Sequence, residues 1–151
     1  MRLGDVASNV GKGLFAGAAG TVLMTISSTI EAKLSDHGSS SAPADAAGKV
    51  LGVQPRDEDG QARFSNAVHW GYGTGWGAVR GLIGLTDASP AAATATHFAA
   101  VWGSSLVMLP ALDVAPAPWK QPLSGLATDA FHHTVYAVAT SLAYGLLSRG
   151  E

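Results

Sequence analysis

The sequence predicts an all-α, polytopic membrane protein in which four transmembrane helices form two related hairpins, with a short extramembrane helix in the first loop. Three observations lead to this prediction. Charged residues make up only 13% of the chain, about half of the roughly 25% that is usual in a soluble domain. The remaining residues form four long apolar segments with very few Lys, Arg, Asp or Glu. A short motif also recurs, once in the second segment and once in the fourth.

Each of the four segments has the length that a transmembrane helix needs. About 20 residues at a rise of about 1.5 Å per residue span the hydrocarbon core of a bilayer. A soluble helix of this length normally carries a charged face, which these segments lack, so a soluble Ala/Gly-rich bundle is the alternative interpretation. We predict a single four-helix transmembrane domain over residues 1–151, with spans at about 12–32, 64–86, 91–112 and 126–148.

The connections between the predicted spans contain residues that end helices or begin short ones. Residues 33–62 form the long hydrophilic loop. Within it, Ser41 followed by Pro43, with Gly52 ten residues or so later, is typical of a short helix with a capped start and a glycine end. The third connection, residues 113–122, is rich in proline, which excludes a regular α-helix there.

The orientation of the predicted helices follows from the distribution of positive charge. Short connections make neighbouring helices antiparallel, so both termini lie on the same side of the membrane. The nine Lys and Arg residues divide four to five between the two sides, and the five lie mostly in the long loop. Because long loops translocate largely regardless of charge, we predict cytoplasmic termini. The Ala/Gly/Asp-rich, Lys-poor composition indicates a high-GC bacterial source.

The recurring motif places the same residue types at the same offsets in two segments. The shared residues are a histidine, a tyrosine, a glycine and a leucine, namely His69, Tyr72, Gly81 and Leu82 in the first copy and His133, Tyr136, Gly145 and Leu146 in the second. Internal repeats of this kind occur in many transporter folds. The recurrence predicts that the chain contains two copies of a two-helix unit.

Ionisable and phenolic side chains gather at one predicted membrane depth. The second and fourth segments begin on the side of the membrane where the first segment ends. His69 and His133 are therefore expected at a membrane depth similar to that of Glu31 on the first helix. Polar groups at membrane depth need partners and are functional candidates. The predicted polar cluster consists of Glu31, His69, Tyr72, Asp129, His132, His133 and Tyr136.

Three interpretations of this polar cluster stay open. In the first, the histidines bond to Glu31 or to tyrosine hydroxyls and hold the helices together. In the second, the cluster handles protons or ions, because histidine titrates near neutral pH and carboxylates tune it. In the third, His69 and His133 bind a b-type haem or a metal ion, since two histidines at equal depth on separate helices suit bis-histidine ligation. No residue spacing enforces this third arrangement.

Glycines recur at intervals of three or four residues on the first two segments. In lipid, small residues let helix backbones approach closely, where the hydrophobic effect cannot drive association. These positions therefore predict tight packing between helices of one chain, with self-association through the same faces as the alternative. The residues are Gly13, Gly17 and Gly20 on the first segment and Gly73, Gly77 and Gly81 on the second.

Two further polar residues lie within the predicted spans. Arg80 is near the end of the second segment and is expected to snorkel towards the membrane surface. His97 stands alone on an apolar helix and is expected to be a packed, hydrogen-bonded histidine.

Several classes of function receive no support from the sequence. The chain contains no cysteine, so disulfides, Cys-type metal sites and thiol chemistry are excluded. A net charge of -2 without a basic stripe argues against nucleic acid as a partner. The chain also lacks a nucleophile motif, a phosphate loop and a carboxylate pair typical of hydrolases. We therefore expect a protein that is not an enzyme.

Three stretches of this chain resemble a known family. Residues Gly13–Thr25 read GLFAGAAGTVLMT, and His-x-x-Tyr motifs open at His69–Gly73 and His133–Tyr136. This pattern resembles the YagU-like small multi-pass bacterial inner-membrane proteins. In the second motif Ala137 takes the place of the glycine that ends the first. The resemblance implies a multi-pass membrane protein of unsettled role and transfers no catalytic residue.

Together these patterns predict an integral membrane protein of structural or accessory type, working within a larger membrane complex or as a small oligomer. Its expected partners are the lipid bilayer and other membrane subunits or further copies of itself. The alternatives are a small proton- or ion-handling transport protein that uses the polar cluster, and a haem or metal protein that uses its repeated histidines.

Overall fold

A computed structural model describes residues 2–35 and 41–149, and within these ranges the protein is helical and contains no strand. The predicted all-α class is therefore confirmed. The helices are α1 (Leu3–Ser35), α2 (Ala42–Leu51), α3 (Glu58–Ile83), α4 (Pro90–Ala111) and α5 (Leu123–Leu147), and a 3₁₀ turn covers Pro118–Lys120 in the proline-rich connection.

The helix α3 begins earlier than its predicted span because an aspartate caps it. The Asp57 side chain accepts a hydrogen bond from the Gly60 backbone N–H at 2.7 Å, which satisfies one of the free amides of the first turn. The predicted loop 33–62 is shorter as a result, and its residues 36–40 lie outside the described residues. The helix α1 is also longer than predicted and begins at Leu3 rather than near residue 12.

The short helix predicted in the first loop is present as α2. Pro43 lies in its first turn, and Gly52 ends it with φ at 66°, a left-handed conformation that glycine adopts without steric cost. The Lys49 Nζ donates to the carbonyl oxygens of Leu112 at 2.6 Å and Asp113 at 3.0 Å. These two bonds connect α2 to the end of α4.

The four long helices form an antiparallel bundle in which α1 has a central position. It packs along both α3 and α5, whereas α4 packs against α5 and, less extensively, against α3. The Asn9 backbone lies beside Gly81, and the Thr25 side chain lies beside His69, so α1 and α3 run in opposite directions. This arrangement brings polar residues of α1, α3 and α5 to common levels of the bundle.

Two of the four predicted spans, α1 and α4, are long and apolar enough by length and composition to cross a membrane. The helices α3 and α5 are not among them. In α3, Arg80 and many glycines lower the mean hydropathy, and in α5 the same effect comes from Asp129, His132 and His133. Of the four predicted spans, two therefore have the length and apolar composition that a membrane-spanning helix needs.

Large and small apolar residues are distributed in an unusual way across the bundle. Its buried apolar positions are mostly alanine, with Val101, Tyr136 and Tyr144 as the larger members. Large apolar side chains instead face outwards; Phe15 is 77% exposed and Leu142 is 66% exposed. Soluble proteins bury most of their large apolar side chains. The described bundle has the reverse arrangement, with small residues inside and large apolar residues outside.

Candidate functional site

The glycines of α1 and α3 bring two helix backbones into direct contact. A Cβ atom on Gly17 would lie 2.7 Å from the Cα of Gly77, and one on Gly77 would lie 2.6 Å from the Cα of Gly17. Real Cβ atoms do not approach backbone so closely, so these positions require glycine. Gly13 meets Gly77 in the same way, and Gly81 meets the Asn9 carbonyl.

The remaining two predicted glycines make room for side chains rather than for backbone alone. A Cβ on Gly73 would collide with the Thr21 side chain, and a Cβ on Gly20 would collide with the hydroxyl of Thr140 on α5. Thr21 and Thr140 are both fully buried. All six predicted helix-packing glycines therefore lie at contacts within one chain, and these contacts set the level at which polar side chains meet.

The first polar contact joins α1 to α3. The Thr25 Oγ1 and the His69 Nε2 are 2.8 Å apart, and the same hydroxyl donates to the Thr21 carbonyl at 2.7 Å. A hydroxyl has a single proton to donate, so when Thr25 donates to the Thr21 carbonyl it can accept from the Nε2–H of His69.

The second polar contact joins α1 to α5. The Ser27 Oγ lies 2.8 Å from the Nδ1 of His132, and the Glu31 carboxylate lies 4.0 Å from the Nε2 of the same ring. Glu31 also accepts a hydrogen bond from the Ser35 hydroxyl at 2.6 Å. His132 is buried, whereas 37% of the Glu31 side chain is exposed, so the pair connects the interior with one end of the bundle.

A third polar contact joins α5 to α4. The Asp129 carboxylate accepts a hydrogen bond from the Trp102 indole N–H at 2.8 Å. Its other oxygen lies 3.3 Å from the Nδ1 of His133, which also lies 2.9 Å from the Asp129 carbonyl oxygen. The contacts of His133 are thus with its own helix, whereas the bond between α5 and α4 is made by Asp129.

The two tyrosines of the repeated motif have different environments. Tyr136 is 1% exposed, and its hydroxyl donates to the Gly73 carbonyl at 2.6 Å, which joins α5 to α3. Tyr72 is 37% exposed and packs edge-on against Trp76 of its own helix. The repeat in sequence is therefore not matched by equivalent contacts of its tyrosines.

Replacing Tyr136 with phenylalanine is expected to lower the free energy of unfolding by about 1 kcal/mol, the usual net value of one buried hydrogen bond. The matched control is Tyr72→Phe, which removes the hydroxyl from the exposed copy and is expected to change stability by less than about 0.5 kcal/mol. Thermal unfolding of the two purified variants in one detergent measures the difference. Equal losses would show that the Gly73 contact contributes nothing.

The structure therefore divides the seven predicted cluster residues among separate contacts. Glu31 and His132 lie together, as do Asp129 and His133. His69 bonds to a threonine, Tyr136 bonds to a backbone carbonyl, and Tyr72 lies at the surface. Sequence reasoning did not identify the partner side chains Thr25, Ser27 and Trp102. The spacing of four between Thr21 and Thr25, and between Ser27 and Glu31, is the signal that could have placed these hydroxyls on faces towards α3 and α5.

The metal and haem interpretation depends on His69 and His133, and these two rings have different neighbours. His69 bonds to α1, while His133 bonds to Asp129 near α4. In the described ranges, no group of three or more His, Asp or Glu side chains is arranged to hold a metal ion. Bis-histidine ligation of a haem stays a prediction.

Arg80 is buried rather than snorkelling to the surface, so that expectation was wrong. Only 6% of the residue is exposed. Its Nε donates to the Ser141 hydroxyl at 3.0 Å, and its guanidinium lies 4.4 Å from the centre of the Tyr144 ring. Partners on α5 thus hold the side chain inside the bundle. His97 is fully buried, with its Nε2 3.1 Å from the Trp76 carbonyl oxygen, as expected of a packed histidine.

Taken together, the polar side chains form bonds at successive levels between α1, α3, α4 and α5. These contacts can hold helices in register, and the Glu31–His132 pair has the groups needed to exchange a proton with solvent at one end. No protein-family model, curated protein or solved structure matches this chain.

Proposed function

We propose that this chain is an integral protein of the bacterial inner membrane that crosses the bilayer with its four long helices and has cytoplasmic termini. The support is the reversed packing of the bundle, with large apolar side chains such as Phe15 and Leu142 outside and small residues inside. Lipid is the environment that stabilises such an outer surface. In this proposal α3 and α5 also cross the bilayer. Their mean hydropathy is lower because they carry polar residues, such as His69 and His132, that bond to neighbouring helices. The resemblance to YagU-like proteins belongs to the same proposal.

We further propose a structural or accessory role within a larger membrane complex or a small oligomer. One observation carries this proposal: bonds of His69, His132 and Tyr136 each join two helices, through Thr25, Ser27 and the Gly73 carbonyl. Side chains that bond to one another hold a scaffold in shape. A rigid bundle with an apolar exterior is suited to packing beside other membrane subunits.

The experiment is extraction of the protein from its native membranes. We expect it to stay in the membrane through an alkaline carbonate wash, and to elute from mild detergent as a species larger than the monomer, with further copies or other subunits. A monomer without partners would contradict the accessory role, and release by carbonate would contradict the membrane location. Since the chain lacks cysteine, Ser8→Cys and Ala62→Cys report the orientation through an impermeant thiol reagent.

A second function, proton handling, is favoured by one specific contact. The His132 Nε2 is buried without a hydrogen-bond partner and faces the Glu31 carboxylate at 4.0 Å. Because Glu31 is partly exposed, it can take a proton from solvent and pass it to the imidazole. The Ser27 hydroxyl on the other ring nitrogen provides the next group inwards.

In proteoliposomes that contain a pH-sensitive dye, the proton-handling proposal predicts a flux that His132→Gln reduces by about tenfold or more, the usual scale for losing a positioned proton carrier. The matched control is His69→Gln, which removes a histidine from a separate contact and should leave the flux unchanged. Absence of flux in the unmodified protein, or an equal loss in both variants, would refute this second function.

A further inference from the structure

A groove of about 700 Å³ opens between α3, α4 and α5, at the end of the bundle opposite to the Glu31–His132 pair. Its walls are mainly apolar, with alanines from α4 and larger side chains from Phe98, Val138 and Leu142. Volumes of this size hold small organic ligands or an acyl chain. The lining of the groove does not include His69, His132 or Tyr136, whose bonds carry the proposed structural role.

A buried cation lies in the wall of this groove. Arg80 is 6% exposed and lines the groove beside Ser141 and Tyr144. Ser141 accepts from its Nε, but its Nη1 is buried without a hydrogen-bond partner. Among residues 2–35 and 41–149, the ion pairs of His132 with Glu31 and of His133 with Asp129 do not involve Arg80, and no carboxylate is paired with its guanidinium. A guanidinium in apolar surroundings without a counter-charge is costly.

An anion supplied from outside the chain would satisfy this guanidinium. Arginine binds phosphate and carboxylate oxygens with two parallel hydrogen bonds, and the apolar walls favour a ligand whose remaining part is a hydrocarbon chain. A free inorganic anion would leave those walls without a partner. The charge of the site and the character of its walls therefore point to the same ligand, an anionic lipid.

We propose that this groove holds one acyl chain of an anionic phospholipid, with the lipid phosphate bound to the Arg80 guanidinium. The proposal rests on the proposed membrane location, because the bilayer supplies the lipid. The headgroup lies near the connection between α3 and α4, where Thr86 and Pro90 form the rim. The acyl chain lies along α5, beside Val138 and Leu142.

The experiment uses the full chain in nanodiscs of mixed phosphatidylglycerol and phosphatidylcholine, followed by native mass spectrometry of the lipids retained after release. We expect the unmodified protein to retain one phosphatidylglycerol in preference to phosphatidylcholine. Arg80→Gln should reduce this preference by about tenfold or more, as expected for loss of a charge-assisted pair, and Arg80→Lys should restore part of it. Arg149→Gln is the matched control, because Arg149 is an exposed arginine at the same end of the bundle.

A second variant guards against misfolding of Arg80→Gln. Val138→Trp fills the groove and leaves the cation in place, so it should also reduce phosphatidylglycerol retention. Unchanged retention in both variants, or equal retention of the two phospholipids by the unmodified protein, would overturn the proposal, as would retention of free fatty acid alone. Flotation with vesicles of phosphatidylcholine alone tests the membrane location separately, since it does not require the groove.

Discussion

Replacing Gly77 with alanine is expected to lower the free energy of unfolding by about 3 kcal/mol, the upper part of the usual range for overpacking. The added methyl group would lie 2.6 Å from the Gly17 Cα and 2.8 Å from its N, and closer still to the Gly13 carbonyl oxygen. These are backbone atoms, which cannot rotate away as a side chain can. The helices α1 and α3 must therefore separate, which also draws His69 away from Thr25.

The matched control for this prediction is Gly75→Ala. Gly75 is on the same helix, two residues away, and a Cβ atom there meets nothing within 4 Å. Because alanine favours a helix by up to about 1 kcal/mol over glycine, the control should be neutral or stabilising. Unfolding of both variants in the same detergent, followed by circular dichroism, gives the comparison. Similar stabilities would show that the close approach of α1 and α3 is absent in the purified protein.

Replacing Asp129 with alanine is expected to lower stability by about 1.5 kcal/mol and to loosen α4 in particular. The carboxylate accepts from the Trp102 indole, and a hydrogen bond to a charged group is worth about 1.5–3 kcal/mol. We take the lower end of that range because 46% of the Asp129 side chain is exposed. Since α4 has fewer contacts with the bundle than α1 has, loss of this bond should raise amide hydrogen exchange most in α4.

The variant Asp129→Asn distinguishes the contribution of Trp102 from that of His133. An asparagine retains an oxygen for the Trp102 indole but loses the charge that faces His133. We expect it to keep most of the protection of α4 that Asp129→Ala loses. Exchange rates in α4 that stay at the wild-type level in Asp129→Ala would show that the bond between Asp129 and Trp102 does not hold α4 to the bundle.

Local signals in the sequence were sufficient for the helical class and for several boundaries. Pro43 and Gly52 identified α2, because a proline in the first turn and a glycine at the end act within a few residues of themselves. The spacing of Gly73, Gly77 and Gly81 identified a packing face, because residues four apart share one side of a helix. The same reasoning began α3 too late, since the Asp57 cap lies before the apolar run.

The partners of the polar residues could not be predicted in the same way, because they depend on how helices rotate about their axes. A common depth placed His69 and His133 together, whereas the structure gives them neighbours on different helices. Arg80 was expected at the surface because the sequence does not show that Ser141 and Tyr144 of α5 lie beside it. The depth of a residue follows from its position along one helix. Its contacts depend on how three or four helices pack together.

The central position of α1 has a consequence for the order in which the bundle completes itself during synthesis. Its bond to His69 joins residues 44 positions apart, whereas its bond to His132 joins residues 105 positions apart. The residues of α1 that contact α3 meet their partners early in synthesis, whereas Ser27 meets His132 only after the three helices α2, α3 and α4 and the start of α5 have been made. Ser27 therefore has its partner on α5 only after residue 132, when most of the chain has already been synthesised.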